Sequence, residues 1–143
     1  TPDGRTAFVT NQLADTITPI NINDNSTGTP IPVGDAPTSI AITPDGKVAF
    51  IANAEADEVV PFDLETRTVG APVPVGDKPI SIAISPDGTT AYAVNVNSND
   101  VTPITIEPNE PGDPIGVGAG PASMALSAAI PAKPRIKVSR GTL

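Results

Sequence analysis

The chain has no cysteine, no histidine and no tryptophan, and only 3% of its residues are aromatic. Each shortage closes off a class of function. Without Cys there is no disulfide framework, and compartment cannot be read from redox chemistry. Without Cys or His, zinc, haem and iron–sulfur centres lose their usual ligands, so neither a metal nor another cofactor is expected. A histidine-based triad is excluded, and no catalytic residue is assigned. Too few aromatics remain to stack the bases of a single strand. No apolar run approaches the roughly 20 residues that cross a bilayer as a helix, so no membrane span is expected. Position 1 is not Met and no signal-peptide pattern follows it, so the start reads as a cut through a longer protein.

What the chain does have is 18 Pro, 12 Gly and short runs of Val, Ile and Thr within 143 residues. That mixture favours short strands and many turns over helices. The formal net charge is −8, and it is unevenly spread. Every acidic residue lies before residue 114, whereas Lys133, Arg135, Lys137 and Arg140 sit in the tail. An acidic body repels phosphate backbones, so no nucleic-acid partner is expected.

The organisation is a repeat. "TPDG" at 1–4 returns as "TPDG" at 43–46 and as "SPDG" at 85–88, a spacing of 42 residues each time. The units are 1–42, 43–84 and 85–126, followed by a non-repeat basic tail at 127–143. A fixed period in this range signals a repeat architecture. Each unit carries four candidate strands. In the first they are Arg5–Thr10, Thr16–Ile22, Thr29–Val33 and Thr38–Ile42. The later units repeat them as "KVAFIA", "EVVPFDL", "APVPV", "ISIAI" and as "TTAYAV", "VTPITI", "DPIGV", "ASMAL". Four short antiparallel strands in about 40 residues make a blade of a β-propeller, so the expected fold is all-β. The Pro-Asp-Gly corners then join the innermost strand of a blade to its second strand, Pro setting φ and Gly supplying the left-handed residue. Asp3, Asp45 and Asp87 are read as turn residues; a cation-binding ring of carboxylates would explain only one residue of each tripeptide.

"FVTN" at 8–11, "FIAN" at 50–53 and "YAVN" at 92–95 follow the corners in register, with "VG…P" segments and "P-x-S-I-A-I" further on. Over residues 1–126 this pattern resembles the YVTN family of β-propeller repeats. The resemblance implies four-stranded blades around a channel, an extracellular or cell-surface (surface-layer) setting, and relatives that are either lactonase-like or binding proteins. Pro19, Pro61 and Pro103 depart from a plain strand, because proline gives no N–H to a ladder, and interrupted pairing is expected there.

Closure and site follow from this frame. Closed propellers use about four blades or more. Three units are therefore expected to form an open arc, completed by missing blades or by self-association. The first unit lacks an innermost strand, and Pro121–Leu126 supplies a spare one. Function in propellers gathers on the face opposite the corners, on two sets of loops: 11–15, 53–57 and 95–100, and 34–37, 76–79 and 118–121. The candidate ligand-binding residues there are Asn11, Asp15, Asp35, Asn53, Asp57, Asp77, Asn95 and Asp100. Asn and Asp at such places also serve as ordinary turn residues. As a rim they could hold a polar ligand or Ca²⁺ through oxygens. The oxygen-rich "NINDNSTG" at 21–28 lacks EF-hand spacing and is read as a strand-to-strand loop. Two functions stay open: a non-enzymatic scaffold for a protein, glycan or small polar ligand, or part of a lactonase-like or dehydrogenase-like enzyme whose active site lies on other blades.

Overall fold

The computed structural model describes residues 1–127, so nearly all of the basic tail lies outside the described residues. These residues contain thirteen strands in three antiparallel sheets and no helix. The first blade holds β1 (Thr6–Asn11), β2 (Thr16–Asn21) and β3 (Ile31–Pro32). The middle blade holds β4 (Pro37–Ile42), β5 (Val48–Asn53), β6 (Glu58–Asp63), β7 (Thr68–Val69) and β8 (Val73–Pro74). The third repeats it with β9 (Pro79–Ile84), β10 (Thr90–Asn95), β11 (Asp100–Thr105), β12 (Glu110–Pro111) and β13 (Ile115–Gly116). The sheets run in the order β4-β5-β6, with both β7 and β8 against β6, and likewise in the third blade. This is the propeller architecture that the 42-residue period requires.

Strand alternation explains why blades stack. Side chains of β5 point alternately to opposite faces. Ala49 and Ile51 join Ile17, Val33, Val60 and Phe62 in the core between the first and middle blades. Phe50 and Ala52 join Val59, Ile82, Ala93 and Ile104 in the core between the middle and third blades. Both faces of the middle blade are thus buried, which is why β5 reads as an unbroken apolar run. Phe8 meets Phe62 edge to face across the first joint, with centroids 6.3 Å apart and planes at 70°.

Two sequence expectations are corrected. The fourth strand of a full blade is not one strand but two short pieces on either side of the proline. The Pro61 carbonyl accepts the Gly70 N–H at 2.7 Å, so its backbone polar edge faces outward. The absent proline N–H therefore costs the outer pairing alone, and β5–β6 stays in continuous register through Phe50↔Pro61. Pro19 and Pro103 repeat this with Gly28 and Gly112. Secondly, Pro121–Leu126 carries the inner-strand pattern but joins no ladder, since no further second strand among the described residues faces it. Among the described residues, sheet one correspondingly has no strand inside β1.

Gly70 and Pro61 are coupled by contact. A Cβ on Gly70 would lie 2.8 Å from Pro61 Cγ. We expect Gly70→Ala to lower unfolding free energy by about 1–3 kcal/mol, as overpacking does. Adding Pro61→Ala should cost less than the two single losses added together, because trimming the Pro61 ring removes the atom that the new Cβ meets. Urea unfolding at one fixed protein concentration measures both; strict additivity would refute the contact.

Candidate functional site

The two loop sets expected to form a rim do share one end of the blades, and hydrogen bonds tie them together. At the tip of each second-to-third-strand loop one residue adopts positive φ: Asp15 at 57°, Asp57 at 53° and Asn99 at 56°. Asp and Asn tolerate this region better than other residues with a Cβ. Each uses its side-chain Oδ1 to accept a backbone N–H from the connector to the next blade. The pairs are Asp15 with Ala36 at 2.9 Å, Asp57 with Lys78 at 2.8 Å and Asn99 with Gly120 at 2.8 Å. Their own carbonyls accept from Val33, Val75 and Val117. The connector then reaches forward: the Ala36 carbonyl accepts from Ala54 at 3.0 Å and the Lys78 carbonyl from Val96 at 3.1 Å. The rim is a relay from blade to blade.

This places the third member of the Asp set at Asn99, not Asp100. Asp100 is the first residue of β11 and matches Glu58 and Thr16. These three accept from the recurring asparagines. Asn11 Nδ2 donates to Thr16 and Thr18, Asn53 Nδ2 to Glu58 and the Val33 carbonyl, and Asn95 Nδ2 to Asp100 and Thr102. Asn53 and Asn95 are fully buried, each with an Oδ1 that has no protein partner. They close strand ends inside the blade and do not face solvent. Asp35 and Asp77 are exposed. Asp77 accepts from Asn97 Nδ2 at 3.2 Å, and its own N–H bonds the Ser98 hydroxyl. Glu55 and Lys78 form an exposed pair at 3.9 Å, a contact of small energetic weight. Reading the 42-residue offset from Asp15 and Asp57 would have pointed to Asn99; Ala36 and Lys78 carry no sequence signal, since neither favours positive φ.

The corners lie at the opposite end. Thr43 and Ser85 hydroxyls donate to Asp45 and Asp87, whose Oδ1 atoms also accept from the Lys47 and Thr89 N–H groups at 3.1 Å. Thr1, Asp3 and Arg5 repeat the arrangement. Gly4, Gly46 and Gly88 hold φ of 70–72°, as the corner requires. An open cavity of about 390 Å³ lies at this end between the middle and third blades, lined by Asp45, Lys47, Asp87, Thr89, Thr105 and Glu107 among others. Among the described residues no group of three or more acidic side chains is placed to hold a metal ion, and no helix is long and apolar enough to cross a membrane.

The fold defines a β-propeller protein, and solved structures agree. The chain is similar to a hydrazine synthase structure from Kuenenia stuttgartiensis (31% identity, TM-score 0.82, 86% of this chain and 36% of that one). It is also similar to a functionally unknown protein from Desulfotomaculum acetoxidans (22% identity, TM-score 0.79, 89% and 44%). A third likeness is to a candidate 6-phosphogluconolactonase from Bacteroides fragilis (20% identity, TM-score 0.73, 85% and 38%). The chain spans less than half the length of these structures, and the last two likenesses bear on fold alone. No protein-family model and no curated protein matches the sequence.

The corner carboxylates are held below the usual carboxylate range, first by the hydroxyls of Thr1, Thr43 and Ser85 and then by backbone N–H groups. A depressed folded pKa stabilises above the unfolded value near 3.8, and that contribution is lost as pH falls through the folded value. Asp45→Ala should therefore lower the melting temperature at pH 7, while the gap to the parent shrinks steadily below about pH 4. Calorimetry across pH 2–7 checks this; a gap that stays constant would contradict the turn role.

Proposed function

We propose that this chain is a non-enzymatic propeller scaffold of the YVTN type, displayed outside the cell, whose rim binds a protein, glycan or small polar ligand. One observation carries the reading. Asp15, Asp57, Asn53 and Asn95 are committed by hydrogen bonds to holding loops and strand ends. What the rim offers outward is negative charge: Asp15, Asp35, Glu55, Asp57 and Asp77 are exposed there, and Lys78 pairs with Glu55 at 3.9 Å. Such a surface favours ligands that present cationic or hydrogen-bond-donating groups.

A lysine decapeptide serves as a probe. Titration calorimetry should show binding at 20 mM salt that weakens several-fold at 150 mM. Asp35→Asn with Asp77→Asn should weaken it further, while Asp3→Asn at the far end should not. The enzyme reading draws on the lactonase-like neighbours. Turnover of a sugar lactone by this chain would favour it over the scaffold.

A further inference from the structure

We propose that the cleft between the first and middle blades, at the end opposite the rim, binds the anionic group of a short acidic sugar: a carboxylate, sulfate or phosphate carried on the ring. The site is separate from the rim and independent of any ligand there. The cleft has a volume of about 360 Å³ and is lined by Arg5, Asn21, Asn23, Ser26 and Thr27 of the first blade and by Arg67 of the middle blade, among others. Residues 1–126 hold four basic side chains against 16 acidic ones. Two of the four line this one cleft, and among the described residues no carboxylate lines it. Arg5 lies 3.9 Å from Asp3 in an exposed pair, a contact of small weight. Arg67 has no ion pair among the described residues.

The repeat supplies its own comparison. One joint on, the corresponding cleft between the middle and third blades is smaller, about 200 Å³. It is lined by Asp63 where Asn21 stands, by Asn109 where Arg67 stands, and also by Glu107. The same blade geometry thus accepts an acidic cleft, so packing does not call for the arginines. Arg67 also stands against local preference. Its φ is 57°, and its equivalents one period away on either side are Asn25 at 58° and Asn109 at 68°. Asparagine enters this left-handed region more readily than arginine does. An arginine kept there without an ion pair points to a partner outside the chain.

The donors around it are already placed. Loop 21–28 is fixed by its own bonds: the Asn21 N–H to the Ser26 carbonyl at 2.9 Å, the Asn25 N–H to the Asn21 carbonyl at 2.9 Å, and the Asn23 N–H to Asn21 Oδ1 at 3.0 Å. With that oxygen occupied, Asn21 keeps its Nδ2 hydrogens as donors. Guanidinium forks take an oxyanion through paired bonds, and amides and hydroxyls suit the hydroxyls of a sugar. The acidic body repels a long polyanion, which limits the ligand to a short one.

Titration calorimetry on the full chain at about 20 mM salt tests this. The probes are trigalacturonate, glucose 6-sulfate and glucose 6-phosphate; at least one should bind, and the tightest identifies the anion. Uncharged maltotriose and inorganic sulfate should each bind about tenfold more weakly or less. Arg67→Asn should weaken sugar binding about tenfold or more. It should keep or raise the melting temperature, because it restores the residue that the other two units carry. Arg5→Gln should weaken binding likewise, while Lys47→Gln, which removes the same charge one unit on, should not. Binding of none of the three probes at millimolar concentration would overturn the proposal. So would maltotriose or sulfate binding as tightly as the acidic sugars, or an affinity that survives Arg67→Asn.

Discussion

The structure depends on one hydrogen bond made three times: a side-chain oxygen at a loop tip accepts a backbone N–H from the connector to the next blade. Asp15, Asp57 and Asn99 make it to Ala36, Lys78 and Gly120. Blades also touch through inner-strand bonds such as Thr38 Oγ1 to the Pro79 carbonyl at 2.9 Å and the Ile82 N–H to Ser39 Oγ at 3.2 Å, and through apolar side chains, whose contact is non-directional. The tip bond adds direction. It fixes where each connector leaves one blade, and through the Ala36 and Lys78 carbonyls it fixes where the next begins. Ala36 at φ 54° and Lys78 at φ 58° take the strained left-handed conformation that this path demands, and Gly120 takes it freely.

Around that relay the chain is economical. Small residues such as Ala49, Ala52, Ala91 and Ala93 let the sheets approach, and Phe50 and Phe62 fill the two joints from opposite faces of the same blade. The prolines sit where the backbone edge faces the blade's exterior. They limit the outer strand to short pieces and leave little edge for unwanted pairing. The middle blade, covered on both sides, shows what each outer blade lacks.

Much of the fold was legible in the sequence because its signals recur. Three Pro-Asp-Gly corners in register mark hairpins, and the unbroken apolar run of "VAFIA" marks a strand buried on both faces. The split outer strand was less legible. Pro61 predicts an interruption, but only the outward direction of its carbonyl tells which neighbour loses the bond. Asp15 and Asp57 were singled out by residue type as candidate ligand-binding residues, and the structure shows them holding the connectors. The same place in the third unit is taken by Asn99, an amide that residue type did not single out. Asn53 and Asn95 look like rim residues in one dimension, yet strand ends turn them inward. Their partners lie five or seven residues on, or on another blade, and nothing local announces that.

The relay can be tested at single amides. Asp57→Gly keeps a residue at the loop tip that takes positive φ freely and removes the side-chain oxygen that accepts from Lys78. Hydrogen exchange should then speed up at the Lys78 amide and at Val96, which donates to the Lys78 carbonyl, while Ala36 and Gly120 keep the parent's rates. Unchanged exchange at Lys78 and Val96 would contradict the relay.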